Sequence, residues 1–509
     1  ASAITGRVRF PYRTKNGNTA VQPLYREHKI YAGKPGLPGL PATFGSEEEC
    51  ETLEIVLADE VLDLTVTLYY TAFYDVDVIT RSVRVTNHAK EPVYLTKVFS
   101  TALDLDAEDY RMLTLHGSWA RERQIEYRQI GYGKQSVGSC RGESSHQEHP
   151  FVALVSANAG QEQGRVYGFH FVYSGNFLAQ VEKNQFDSLR VVLGIHPQDF
   201  KWELKQDETF TAPEVVMTYS DAGLGRMTRT LHDLYRKHLI RSPYKDRERP
   251  VLINNWEATY FDFDTEKLLA IAREAKKSGI EMLVMDDGWF GHRNDDNTSL
   301  GDWQVNEQKI TGGLKRLVDQ VNEIGLKFGI WFEPEMISPD SELYRTHPDW
   351  AIALPGRMPC RSRNQYVLDL SRKEVRDYAY ECVASILRSA NIAYVKWDMN
   401  RQLTDLGSGV LPVEKQGELL HRYVLGVYEL QERLITEFPQ LLLENCSGGG
   451  ARFDPGNVVL QSADLVLRRH GCHRALKDSG GNGAAVSALC DRRACVRLPE
   501  PHGGTRDSV

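Results

Sequence analysis

From Ala1 to about Ser220 apolar and polar residues alternate in short bursts, as in Glu54-Ile55-Val56-Leu57, Leu64-Thr65-Val66-Thr67-Leu68-Tyr69-Tyr70 and Arg81-Ser82-Val83-Arg84-Val85-Thr86. A period of two bounded by Gly, Asn and Asp turns predicts half-buried strands. Few helical patterns interrupt them, so this region reads as an antiparallel β-sandwich. Thr228 to His238 has helical spacing and serves as a linker, closed by Arg241-Ser242-Pro243. From about Val251 the period changes to apolar strand runs alternating with long amphipathic helices. The runs are Val251–Trp256, Met282–Asp287, Phe328–Glu333, Tyr366–Leu370, Ala393–Asp398 and Leu441–Cys446, with helices such as Glu266–Ser278, Lys373–Ser389 and Glu414–Glu437 between them. Polar residues recur at every strand end, and no Gly-rich phosphate turn follows the first strand. Those features favour a (β/α)₈ (TIM) barrel over an open doubly wound sheet. The expected order is therefore sandwich plus linker over residues 1–240, then an incomplete barrel over 241–456.

Composition narrows the classes of function. A chain of 509 residues with 41% hydrophobic and 26% charged residues has room for two or three domains. The formal net charge of −8 and the absence of a basic block give nucleic acid nothing to bind, and a neutral small ligand is easier to accommodate. Eight Cys residues lie scattered without CxxC pairs, which points to a reducing, cytoplasmic setting and no structural zinc. No apolar run has the length of a membrane span, and the start, Ala1-Ser2-Ala3, lacks a leader pattern.

The tail breaks the pattern. After Phe453 there is no Phe, Trp or Tyr, although aromatic residues make up 10% of the chain, and three of the eight Cys fall here. Codons compatible with the chain from Leu460, read one nucleotide on, can spell Tyr-Ser-Pro-Gln-Ile-Trp-Cys-Ser-Asp-Asp-Thr-Asp without a break. Residues 457–509 are accordingly expected to be an out-of-frame, non-native tail.

Chemistry gathers at the strand ends. In Lys396-Trp397-Asp398 the first and third side chains share a face, so an ammonium stands beside a carboxylate and favours its ionised, nucleophilic form. A structural ion pair, or a helix cap at Asp398, is the plainer explanation. Asp286-Asp287-Gly288-Trp289 offers two acids that can accept from vicinal hydroxyls, beside an aromatic face for a sugar ring. Taken with Glu333 and Glu335, the same acids could hold a metal. Trp256, Trp289, Trp331 and Trp397 all lie near strand ends, and a ring-shaped, hydroxyl-rich ligand explains acids and tryptophans together. Cys446-Ser447-Gly448-Gly449-Gly450 lets a backbone approach a ligand closely or forms a plain turn, and Arg363 is weak evidence by itself.

Asn255-Trp256-Glu257-Ala258-Thr259, Asp286-Asp287-Gly288-Trp289-Phe290, Trp331-Phe332-Glu333-Pro334-Glu335, Lys396-Trp397-Asp398-Met399-Asn400-Arg401 and Cys446-Ser447-Gly448-Gly449-Gly450-Ala451-Arg452-Phe453-Asp454 together resemble, in order and spacing, the signature segments of the glycoside hydrolase family 36 α-galactosidases (melibiases). The likeness runs from about Tyr25 to Pro455. It implies a sandwich, a (β/α)₈ barrel and a small final β-domain, acting on terminal α-1,6-linked galactose in melibiose, raffinose and related oligosaccharides. It also implies no cofactor or metal, and a homotetramer. By motif, Asp398 is the nucleophile of a retaining mechanism. Trp256, Asp286, Asp287, Trp331, Arg363, Lys396, Cys446 and Gly448 line the galactose subsite.

Retention needs a second carboxyl roughly 5 to 5.5 Å from the first. In the family that acid/base is the first aspartate of a Ser-Asp-x-Thr-Asp segment, which this chain lacks; the alternative frame restores it over the codons of Arg468 and Arg469, and guanidinium is no general acid. The last barrel strands, the final domain and the portion before the sandwich motif also look absent. A catalytically impaired galactose-binding relative, an α-N-acetylgalactosaminidase and a metal-dependent barrel lyase using Lys396 are the competing readings.

Overall fold

The structure is a computed structural model that describes residues 12–13, 21–460 and 463–464. Its first part is the expected sandwich. The larger antiparallel sheet runs Leu24–Ala32, Cys50–Asp59, Leu64–Phe73, Val78–Asn87, Val215–Ser220, Val166–Phe171, Glu148–Ser156, Tyr110–His116 and Gln124–Gln129, with Thr209–Thr211 added beside Val78–Asn87. A four-stranded sheet, Gly133–Ser139, Phe177–Lys183, Ser188–Ile195 and Phe99–Asp106, packs on its central strands. Period two explains the pairing. Leu64, Val66 and Leu68 are buried while Thr65 and Thr67 are half-buried, and Val66 and Leu68 pair with the buried Val85 and Val83. Glu148–Ser156 is buried almost throughout, because the strands at the sheet centre are covered on both faces.

The helix Gly223–His238 closes the sandwich with Leu224, Met227, Leu231, Leu234 and Tyr235 turned inward. It starts five residues before the position that periodicity suggests. Gly223 and Gly225 hide the start, since glycine disfavours helix. Here they are required: a Cβ on Gly223, whose φ is +77°, would come within 2.5 Å of the Gly160 carbonyl.

The second part is a parallel sheet in strict chain order, Leu252–Asn254, Met282–Met285, Lys327–Phe332, Ile392–Trp397, Leu442–Asn445 and Ala463–Asp464. Order without reversal is that of a barrel wall rather than a doubly wound sheet, so the incomplete barrel is borne out. The two faces separate cleanly. Leu283, Met285, Phe328, Ile330, Phe332, Val395, Trp397 and Leu443 join the main core, whereas Met282, Val284, Tyr394 and Leu442 form their own inner cluster with Leu252 and Tyr244. The helices Thr265–Lys277, Leu314–Glu323, Lys373–Ser389 and Leu419–Glu437 alternate with the strands. None of the described helices is long and apolar enough to cross a membrane.

One expected strand is corrected. Tyr366–Val367 lies outside the barrel sheet and pairs antiparallel with Met336–Ile337. The stretch between it and the barrel strand Lys327–Phe332 holds only the short helical turns Glu342–Thr346 and Pro348–Trp350, with no crossover helix of the kind that usually carries a chain back to a parallel neighbour. The sixth place is taken by the backbone of Ala463–Asp464, opposite Glu444 and Asn445. Val458, Val459 and Leu460 are buried, so the packed chain runs to Leu460, past the expected start of the tail. Apart from the backbone of Ala463–Asp464, the rest of the expected tail, Arg468 and Arg469 included, lies outside the described residues.

Candidate active site

Inner-face positions that are apolar at the bottom of the barrel become polar at its carboxyl end. Two residues beyond Val284 stands Asp286, two beyond Tyr394 stands Lys396 and then Asp398, and two beyond Leu442 stands Glu444 followed by Cys446. All six are buried. Strand register places Lys396 opposite Trp331 on one side and Glu444 on the other.

Asp398 is the most heavily supported carboxylate. Its Oδ2 accepts from Trp331 Nε1 at 3.1 Å and from Asn400 Nδ2 at 2.8 Å. Its Oδ1 accepts from the backbone N–H of Met399 at 2.9 Å and of Gly448 at 3.3 Å. Burial alone pushes this carboxyl up. The Lys396 charge and the hydrogen bonds from Cys446, Trp331 and Asn400 outweigh it and hold the group below the usual aspartate range. A charged, oriented carboxylate at a parallel strand end is what nucleophilic attack requires.

Lys396 does not point its ammonium at Asp398 alone. Its Nζ donates to Asp286 Oδ2 at 2.7 Å, both side chains being 3% exposed. The hydrogen bond from Asn254 Nδ2 reaches the same oxygen. Asp287, next in the chain, is gripped by Arg293, with Nη2 to Oδ2 at 2.8 Å and Nε to Oδ1 at 3.0 Å. Burial nevertheless raises Asp287, Arg293 offsets this only in part, and the charges of Asp286 and Asp398 add to the rise.

Glu333, at the end of the third barrel strand, accepts from Gln365 Nε2 at 2.6 Å and from the Asn400 N–H at 2.5 Å. Burial and the neighbouring Asp398 charge push it up to about 7. Asn400 thus spans two carboxyls, one raised and one lowered from the usual range. Glu335 faces the opposite way. It accepts from Trp397 Nε1 at 2.8 Å, from Tyr423 Oη at 2.6 Å and from Arg452 Nη2 at 2.7 Å, a buried network under the glycine loop.

The remaining expected residues fall into two groups. Cys446 is buried beside Asp398, and Gly448 turns with φ +55°, where a Cβ would lie 3.7 Å from Asn400 Oδ1 and 3.8 Å from the His146 ring. Trp256 opens a short helical turn, half-buried, with its ring edge-on to Phe261 at 5.1 Å. Arg363 stands exposed on a loop at φ +49°, and the structure does not bring it into the hydrogen-bonded cluster. Of the four strand-end tryptophans, Trp289 and Trp397 are core side chains, and strand alternation sends Trp397 to the face opposite Lys396 and Asp398. Among the described residues no three His, Cys, Asp or Glu side chains converge as metal ligands, and the two strand-end aspartates each engage a cation instead.

Sequence reasoning gave no role to Arg293, Asn254, Asn400 or Gln365. Arg293 lies only six residues beyond Asp287, a local pairing that inspection could have found; Gln365 reaches Glu333 from a loop and carries no such signal.

Comparison with known proteins accounts for this arrangement. The chain matches Melibiase over residues 209–466 and the glycosyl hydrolase family 36 N-terminal domain over residues 5–205. It is 54% identical over 448 residues to alpha-galactosidase AgaA of Geobacillus stearothermophilus, covering 88% of this chain and 62% of that one. It is 51% identical to alpha-galactosidase Mel36A of Lactobacillus acidophilus, covering 88% of this chain and 61% of that one. A crystal structure of AgaA superposes with a TM-score of 0.89 at 53% identity over 90% of this chain and 64% of that chain. AgaA variants have been solved in complex with raffinose and with stachyose. This chain spans about three fifths of the length of these two curated relatives. With the Melibiase match covering half of its length, the chain belongs to the melibiase family, glycosyl hydrolase family 36.

Proposed function

We propose that this chain carries the sugar-binding and nucleophile half of a retaining α-galactosidase site, acting on terminal galactose of raffinose-type oligosaccharides. The carrying observation is Asp398, held ionised at the end of a parallel strand by Trp331, Asn400, Cys446 and the backbone N–H groups of Met399 and Gly448. In this reading Asp286 and Asp287 accept from galactose hydroxyls, and Trp256 and Trp331 wall the ring. Gly448 lets the backbone approach it, Cys446 and Lys396 keep Asp398 charged, and Arg363, exposed on its loop, would have to swing in to touch the ring. An Asp398 oxygen attacks the anomeric carbon as the glycosidic C–O bond breaks, giving a galactosyl ester that water later hydrolyses. Relatives named alpha-galactosidase favour galactose over its N-acetylamino counterpart. The cysteines Cys50, Cys140, Cys360, Cys382 and Cys446 are free thiols, which supports a cytoplasmic setting.

The family's proton donor falls at Arg468 and Arg469, in the stretch outside the described residues. A leaving group that is stable as an anion needs no such donor. The 509-residue chain should therefore release dinitrophenolate from 2,4-dinitrophenyl α-galactoside and leave raffinose intact. Mass spectrometry should find one galactosyl group on the peptide holding Asp398, and Asp398→Asn should abolish both signals. Release with no label at Asp398 would refute the nucleophile assignment, and brisk raffinose cleavage would refute the missing donor.

A further inference from the structure

The glycine loop that touches Asp398 is held by the other domain. Gly448 and Gly449 have φ of +55° and +104°, and no side chain of their own can order them. A bond from the Ser447 N–H to the Gly449 carbonyl at 2.8 Å closes the turn from within, and sandwich residues hold it from outside. His146 Nε2 lies 3.1 Å from the Gly448 carbonyl. A carbonyl only accepts, so His146 carries its proton on Nε2. Glu122 Oε1 accepts the Gly450 N–H at 3.3 Å, and Arg123 Nη2 donates to the carbonyls of Gly450 at 2.6 Å and Phe453 at 2.9 Å. Ser144 Oγ donates to the Ala451 carbonyl at 3.0 Å. His146 is 9% exposed and the Glu122 side chain 8%, so water competes little for either.

The loop is thus gripped from the sandwich side at one backbone group of Gly448, and it offers another, the Gly448 N–H, to Asp398 Oδ1. We propose that His146 is a positioning residue for the nucleophile: by fixing the Gly448 carbonyl it aims the Gly448 N–H at Asp398, so that the sandwich domain completes the barrel's catalytic carboxylate. A loop of glycines freed at this point would let that N–H swing away, and Asp398 would lose one of its two Oδ1 donors. This inference rests on the galactosyl-transfer reading for its kinetic consequence and on geometry alone for its structural one.

The test uses the full chain and the variants His146→Ala and His146→Gln. Two readouts are taken: the burst of dinitrophenolate from 2,4-dinitrophenyl α-galactoside, and hydrogen exchange of the peptide spanning residues 446–453. His146→Ala should slow the burst by about tenfold or more, since small misplacements at a reacting centre are costly. It should also speed exchange in that peptide, with the melting temperature close to that of the parent. His146→Gln, whose amide can donate to the same carbonyl, should restore most of both. An unchanged burst and unchanged exchange in His146→Ala overturn the proposal, as do equal losses in the two variants. A parent chain that gives no burst refutes galactosyl transfer instead, and the exchange data then decide whether His146 orders the loop.

Discussion

Replacing Lys396 by Met removes an ammonium buried against Asp286, Asp398 and Glu444 while keeping the length of the side chain. Breaking a buried pair by deleting one partner costs roughly 3–5 kcal/mol, because the survivor is left charged and unpaired. The survivor has an escape, which is to take up a proton. At pH 7 protonating a carboxyl of ordinary pKa near 3.9 costs about 4 kcal/mol, and at pH 5 only about 1.5 kcal/mol. The loss for Lys396→Met should therefore be about 4 kcal/mol at pH 7 and fall by about 1.4 kcal/mol per pH unit for each carboxyl that protonates.

The sign follows from linkage. In the variant the carboxyl's folded pKa lies above its unfolded value, so its stability is retained below the unfolded pKa and lost as pH rises through the folded one. Urea unfolding of parent and variant at pH 5, 6 and 7, followed by tryptophan fluorescence, measures the difference directly. A loss below about 1 kcal/mol with no pH slope would show that Lys396 is a spectator and that other groups balance Asp286. The kinetic counterpart is an acid limb of the dinitrophenolate burst that moves to higher pH in the variant, because Asp398 has lost its largest stabilising charge.

Glu333 is raised to about 7, so its contribution to stability is present below about 4.3 and lost as pH rises through 7. Glu333→Gln should unfold with less pH dependence between pH 5 and 8 than the parent and gain on it at the upper end, as read by melting temperature. Arg293→Met leaves Asp287 without its bidentate partner and should destabilise by about 3–5 kcal/mol at pH 7, with the loss shrinking towards pH 5 in denaturant titrations. Gly329→Ala would put a Cβ 2.7 Å from the Tyr394 ring and 3.0 Å from Val284 on the inner face of the barrel. Overpacking of that kind should cost about 1–3 kcal/mol in the same titrations.

Local rules carried the fold as far as they could reach. Period-two alternation is a property of each strand, so Leu64–Phe73 and Val78–Asn87 could be read without their neighbours. An apolar run does not say whom it pairs with, and for that reason Tyr366–Val367 looked like a barrel strand. The site divides in the same way. The shared face of Lys396 and Asp398 is a consequence of strand geometry, whereas the partner of Lys396 lies 110 residues away at Asp286. Asn400 sits two residues beyond Asp398, yet its backbone N–H serves Glu333 from another strand. His146 stands 302 residues before the glycine whose carbonyl it holds, and no spacing rule spans that distance.

The charges around Asp398 decide which carboxyl acts. Five buried acids, Asp286, Asp287, Glu333, Asp398 and Glu444, gather about two buried cations, Lys396 and Arg293. Their surroundings differ. Glu333 and Glu444 are raised by burial against weak opposition, whereas Asp398 has Lys396, Trp331, Asn400, Cys446 and two backbone N–H groups drawing it down. Pushing pKa values apart in this way assigns roles among like groups. The surplus of acceptors also selects the ligand: an anion would be repelled, while a neutral ring bearing hydroxyl donors offers protons where the aspartates have lone pairs left. The galactose of the proposed function meets that description, and under that proposal the same surplus leaves Asp398 as the oxygen best prepared to attack it.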